Sequence, residues 1–130
     1  MLFRSEYERM SSHPRFKCFP SMRFEYFLSA MQSATAVLGN SSAGVREAPH
    51  FGVPAVNIGT RQFRRSDSPQ VINSDITLPS LRDAMDRAMK LPRVRDTKFG
   101  NGDSSERFLG LMTSEALWST PIQKTFTDRT

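Results

Sequence analysis

The stretch Gly39-Asn40-Ser41-Ser42-Ala43-Gly44-Val45-Arg46-Glu47 places two hydroxyls, small residues and a carboxylate directly behind the apolar run Ala36-Val37-Leu38. A buried strand that turns into a helix leaves the first N–H groups of that helix unpaired, at the positive end of its dipole. Such a turn suits a phosphate or diphosphate. Ser41 and Ser42 add hydroxyl donors, and Gly44 lets the backbone approach a ligand closely. Glu47, placed in the first helical turn, can accept two hydrogen bonds from a ribose diol. The same residues also have a purely structural explanation. A serine or Gly44 can cap the helix while Glu47 complements its positive end. The turn carries no Walker-type lysine, so spacing alone leaves both explanations open.

Arg61 favours the binding explanation. It follows the next apolar run, Pro54 to Ile58. In a parallel sheet it therefore emerges at the same carboxyl edge as Ser41 and Ser42, where open α/β sheets bind ligands. A guanidinium there can clamp an anionic group with two parallel hydrogen bonds. Groups for bond-making chemistry are not apparent. There is no H-E-x-x-H, no pair of histidines at metal spacing and no G-x-S-x-G elbow. His13 and His50 stand alone. Cys18, the single cysteine, alternates with basic residues and reads as buried. No catalytic residue, metal site or cofactor is expected within these 130 residues.

The elements that must position these residues follow from periodicity. Short apolar runs alternate with amphipathic helical stretches, the pattern of an α/β fold with a parallel sheet and flanking helices. Glu6 to Ser12 reads as the end of a helix and Arg15 to Phe19 as a short strand. Phe24, Phe27, Leu28 and Met31 recur at i, i+3, i+4 and i+7, predicting a helix over Arg23 to Ala34 with one buried stripe and Ser21 as N-cap. Ala36 to Gly39 reads as a buried strand and Val45 to Phe51 as a helix stopped by Gly52 and Pro54; Pro49 implies a bend or an earlier start. Pro54 to Ile58 and Gln70 to Ile72 read as further strands. Thr77 can cap a helix whose face carries Leu78, Leu81, Met85 and Ala88 and which ends at Pro92. Phe99 to Gly102 is a turn and Ser104 to Met112 another helix. In the tail, residues 113–130, Trp118 and Phe126 are the expected docking residues.

The length bounds the chain to one domain, residues 1–130, with 1–14 as a remnant helix. A doubly wound domain would carry a strand before its first helix; its absence points to a sheet truncated at the amino end. A hydrophobic fraction of 38% with ten Phe argues for a packed fold. No apolar run is long enough for a bilayer and no signal-peptide pattern opens the chain, so a cytoplasmic location and no membrane partner are expected. The formal charge of +5 raises a rival, a basic module for nucleic acid or a partner protein. The basic residues are dispersed, however, and most aromatic residues are expected on buried stripes rather than among them. No nucleic-acid partner is expected on that ground.

Three segments together resemble a known family: Pro20-Ser21-Met22-Arg23-Phe24-Glu25-Tyr26-Phe27, the turn Gly39 to Pro49, and Gly52-Val53-Pro54-Ala55-Val56-Asn57-Ile58-Gly59-Thr60-Arg61-Gln62. They resemble the UDP-N-acetylglucosamine 2-epimerases, and Gly59-Thr60-Arg61-Gln62 is similar to the hydrolysing branch. The turn Phe99 to Gly102 with Arg107, and the segment Trp118 to Lys124, also look like bacterial members. The resemblance covers roughly residues 15 to 127. It implies two Rossmann-like domains of glycosyltransferase-B type, of which this chain is equivalent to the carboxyl-terminal, UDP-holding one. Carried over by position, it implies that Ser41 and Ser42, with Gly44 in the turn, hold the diphosphate. Glu47 takes the ribose hydroxyls, Arg61 the phosphate side, and the backbone around Met22 the uracil. The implied reaction converts UDP-N-acetylglucosamine and water to N-acetylmannosamine and UDP by anti elimination and hydration, for sialic-acid-type sugars. Its acid/base groups lie mainly in an amino-terminal domain, so the expected partner is that domain or an intact epimerase. Full-length members are implied to be homo-oligomers. Phe63 to Pro69 departs from the family's usual pattern.

Overall fold

The computed structural model describes residues 2–123, which fall into two compact units divided between Asp96 and Thr97. In the first, α1 (Leu2–Ser11), α2 (Phe24–Ser33), β1 (Val37–Gly39), α3 (Ser42–His50), β2 (Ala55–Ile58), β3 (Val71–Ser74) and α4 (Leu78–Ala88) follow in order. The three strands are parallel in the order β1-β2-β3. Val37 pairs with Ala55 and Ala55 with Val71; two residues on, Gly39, Asn57 and Asn73 share a rung. This is the parallel α/β architecture that the alternating pattern predicts, and the Rossmann-like fold that the family resemblance implies.

Period-two alternation assigns each strand residue a face. On one face Ala55 packs with Met31 of α2, Ala48 of α3 and Val53, flanked by Val37, Ala43 and Phe51. On the other, Val56 and Ile72 meet Ala84 and Ala88 of α4, flanked by Leu81 and Met85. Leu81, Ala84, Met85 and Ala88 lie at i, i+3, i+4 and i+7, which gives α4 its single apolar stripe. Each fully buried Val, Ile or Met side chain contributes about 1.5–3 kcal/mol and each alanine less, so the stability of this sheet rests on a handful of residues centred on β2.

At the amino edge of the strands, residues 92–96 return from α4 and fasten several elements. The buried Gln70 side chain donates Nε2–H to the Pro92 carbonyl at 3.0 Å. Arg93 donates to the Gln32 carbonyl at 2.7 Å, and the Asp96 N–H to the Pro49 carbonyl at 2.9 Å. Arg95 NH2 lies 2.9 Å from His50 Nε2. A guanidinium only donates, so His50 Nε2 is the acceptor of that contact. Gly52 permits this crossing: its φ is +67°, and a Cβ placed on it would lie 3.1 Å from Val94 backbone atoms.

Several expectations are corrected. Residues 15–19 form no strand; Phe16 to Phe19 are irregular, and Cys18 is half-buried rather than buried. No ladder partner for that segment exists among the described residues. The N-cap of α2 is Arg23, which makes no side-chain cap bond, so Ser21 does not cap it. Of the predicted α2 stripe only Met31 is buried, whereas Phe24 and Phe27 are exposed. Met31 is the α2 residue that joins the core cluster with α3 and β2. Leu38 is 49% exposed because β1 is an edge strand and α4 packs on β2 and β3. Thr77 caps α4 by position but not by a side-chain bond; Leu78 is exposed, and a proline in the first turn favours the helical start. His13 accepts from the Arg15 N–H at 3.2 Å and packs edge-on against Phe16, a local turn role.

In the second unit, α5 (Ser104–Met112) and α6 (Glu115–Trp118) contain no buried residue. Arg107 pairs with Asp103 at 2.7 Å, one helical turn away. Trp118 is exposed and donates its ring N–H to the Met112 carbonyl at 2.8 Å, a contact inside this unit. Phe126 lies outside the described residues.

Candidate functional site

The turn after β1 explains which serine caps and which is available. Ser41 has extended backbone angles (φ −77°, ψ 147°), and its Oγ accepts from the Ala43 N–H at 3.3 Å. The Gly44 N–H turns back to the Ser41 carbonyl at 3.2 Å. Ser42 is the first helical residue and is exposed; neither its N–H nor its hydroxyl is hydrogen-bonded among the described residues. Both the structural and the ligand-binding explanation thus have a residue: Ser41 caps, and Ser42 presents two donors at a positive helix end.

Because α3 starts at Ser42 rather than Val45, Glu47 lies in its second turn, not its first. Its side chain is half-buried, with Oε2 inaccessible and unpartnered. A buried carboxylate oxygen without a donor is unfavourable, and a ligand hydroxyl is one group that could satisfy it. Gly44 faces the sheet: a Cβ there would meet Ala55 Cβ at 3.8 Å and Val37 Cγ1 at 3.9 Å. Those are ordinary contacts, so its small size seats α3 on the strands more than it clears room for a ligand.

The turn after β2 supplies the cation. Gly59, at φ +72°, donates to the Ser74 carbonyl at 2.8 Å and turns the chain out of the sheet. Arg61 is exposed, and its guanidinium forms no hydrogen bond or ion pair among the described residues. Since β1 and β2 are parallel, Ser41, Ser42 and Arg61 all leave the sheet at its carboxyl edge, as the spacing predicts. A recess of about 220 Å³ lies at the ends of β2 and β3, lined by residues that include Thr60, Phe63, Asn73 and Asp75. Met22 is half-buried in the irregular lead-in to α2, and no hydrogen bond joins it to the Ser41–Ser42 turn.

Two residues of this edge escape sequence reasoning. Gln62 is 3% exposed; its Nε2 donates to the Asn40 carbonyl at 3.3 Å and its Oε1 accepts from Arg65 at 3.0 Å. It joins the loop carrying Arg61 to the turn carrying Ser41 and Ser42. Asn57, also 3% exposed, donates to Asn73 Oδ1 at 2.8 Å beneath the same edge. A polar residue inside the apolar run Pro54 to Ile58 is the signal that could have found Asn57; a glutamine in a polar loop gives none. Among the described residues no group of His, Cys, Asp and Glu could hold a metal, and no helix is long and apolar enough to cross a membrane.

Comparison with known proteins bears on the family and the fold. Residues 2–113 match the family model described as UDP-N-acetylglucosamine 2-epimerase. The chain is 41% identical, over 88% of its length, to the UDP-N-acetylglucosamine 2-epimerase of Neisseria meningitidis serogroup B, and covers 31% of that protein. It is 29% identical, over 95% of its length, to the hydrolyzing UDP-N,N'-diacetylbacillosamine 2-epimerase of Legionella pneumophila, covering 33% of it. The UDP-GlcNAc 2-epimerase of Methanocaldococcus jannaschii, solved in complex with UDP-GlcNAc and UDP, superposes with a TM-score of 0.71 at 22% identity, over 84% of this chain and 31% of that one. The chain thus spans about a third of the length of the curated relatives it matches. On its sequence match and its fold, the chain belongs to the UDP-N-acetylglucosamine 2-epimerase family.

Proposed function

We propose that the chain is the UDP-holding part of a hydrolysing UDP-N-acetylglucosamine 2-epimerase and is inactive in isolation. The observation that carries this reading is the convergence, on one edge of a parallel sheet, of Ser42 and Arg61, whose donors are without partners among the described residues. Ser42 N–H and Oγ–H and the Arg61 guanidinium meet the diphosphate oxygens, Ser41 shapes the turn, and Gly44 lets α3 sit close to the sheet. Glu47 accepts from the ribose hydroxyls, and the backbone around Met22 faces the uracil.

In the elimination, UDP leaves as an anion when the sugar C1–O bond breaks. Positive charge fixed at the diphosphate favours that departure. The proton-transfer groups belong to the remainder of the enzyme, supplied by an amino-terminal domain or an intact epimerase subunit. The Legionella pneumophila relative named hydrolyzing, and the Gly59-Thr60-Arg61-Gln62 segment, support that branch.

Amide resonances of an isotopically labelled chain test the reading. Added UDP should shift Ser41, Ser42 and Arg61, with no N-acetylmannosamine formed from UDP-N-acetylglucosamine. A folded sample whose three amides stay unmoved at saturating UDP would sink the assignment.

A further inference from the structure

We infer that Gln62 is the positioning residue of the anion site, a buried clasp that presets Arg61 beside the Ser41–Ser42 turn. The inference rests on the nucleotide reading above. Its neighbours Arg61, Phe63, Arg64 and Arg65 are exposed, whereas Gln62 is 3% exposed. Burying an amide is unfavourable unless its polar ends are met. Here both are: Nε2 donates to the Asn40 carbonyl at 3.3 Å, and Oε1 accepts from Arg65 at 3.0 Å. The Arg65 N–H adds a backbone bond to the Gln62 carbonyl at 3.2 Å, closing the turn around it.

The position of this clasp matters more than its strength. Asn40 immediately precedes Ser41, and Gln62 immediately follows Arg61. One side-chain bond therefore links two loops at points each one residue from a proposed ligand group. A residue advances the chain by at most about 3.8 Å, so the clasp limits how far Arg61 can drift from the turn. A ligand that meets preset donors avoids the ordering cost of a mobile loop. Gln62 touches no ligand in this scheme; it acts through Arg61.

The experiment compares UDP with uridine on the full chain by nuclear magnetic resonance titration. Gln62→Met keeps length and burial but removes both polar ends. It should weaken UDP about tenfold, the scale of one lost buried hydrogen bond, and leave uridine unchanged. Unchanged UDP affinity, or equal losses for UDP and uridine, overturns the inference. Should that variant not fold, Gln62→Glu removes the donor to Asn40 and is measured with and without Arg61→Ala. A loss that disappears once Arg61 is absent supports the clasp; a loss that persists is direct charge repulsion and overturns it. Arg61→Ala that leaves UDP affinity intact overturns the clasp together with the role of Arg61 in the nucleotide reading. A clasp failure alone leaves the Arg61→Ala loss in place.

Discussion

Asn57 Nδ2 donates to Asn73 Oδ1 at 2.8 Å, tying β2 to β3 by side chains one rung below the edge where Arg61 emerges. Asn57 is buried and its own Oδ1 lacks a partner, whereas Asn73 is exposed. The pair is thus asymmetric: removing Asn73 strands a second buried atom, while removing Asn57 leaves only a group that water can reach. Asn73→Ala should destabilise the fold by about 1–3 kcal/mol. Asn57→Leu should cost less despite being the buried site, because it removes both amide ends at once. Urea unfolding of the two variants decides the order, and the reverse order would contradict the asymmetry.

Glu47 makes a separate prediction about ligand choice. If its inaccessible Oε2 is completed by a ribose hydroxyl, Glu47→Gln should narrow the preference for UDP over 2′-deoxy-UDP by about tenfold. Affinity for the deoxy ligand should move little. Equal losses for both ligands would instead make Glu47 a packing residue of α3.

Gly52 is held by its backbone angle and its neighbour together. At φ +67°, with Val94 backbone atoms 3.1 Å from a Cβ placed there, neither the added methyl nor the segment 92–96 can yield cheaply. Gly52→Ala should lower the unfolding free energy by about 2–3 kcal/mol. Thermal unfolding measures it, and a loss within about 0.5 kcal/mol, typical of an unremarkable surface site, would refute the close crossing.

Arg64 is the one non-glycine residue with positive φ among the described residues, at 59°. Its guanidinium lies over the Phe63 ring, 5.4 Å from the centroid. Branching at Cβ is least tolerated in this conformation, so Arg64→Val should destabilise by about 1–2 kcal/mol while Arg64→Gly should not. Equal stability of the two variants, read from denaturant midpoints, would show that the loop relaxes freely.

The parts of the fold legible in the sequence were those governed by one short-range rule. Leu81, Met85 and Ala88 announced α4 because a helix buries every third or fourth residue, and the run Pro54 to Ile58 announced β2 because a central strand buries both faces. Arg61 could be placed beside Ser41 and Ser42 because parallel strands end on one edge. What failed depended on what lies alongside. Phe24 and Phe27 have helical spacing yet are exposed, and Arg15 to Phe19 has strand composition but no neighbouring strand among the described residues. The start of α3 was misplaced because the capping role fell to Ser41, which moved Glu47 one turn inward. Gln62 stands in the family-like segment Gly59 to Gln62, but its bond to Asn40 was not legible because it spans twenty-two residues of sequence.

The return of residues 92–96 along the amino edge has a consequence for enzymatic digestion. Pro92 is bonded by Gln70 just before β3, Arg93 bonds to α2, and Arg95 and Asp96 both bond to the end of α3. A protease nick within those five residues would loosen these ties while the core between α2, α3 and the sheet stays packed, whereas a nick just beyond Asp96 would leave every one of those ties in place. Limited trypsinolysis should therefore spare Arg93 and Arg95, although both are arginines on the surface, for as long as the sheet stays folded.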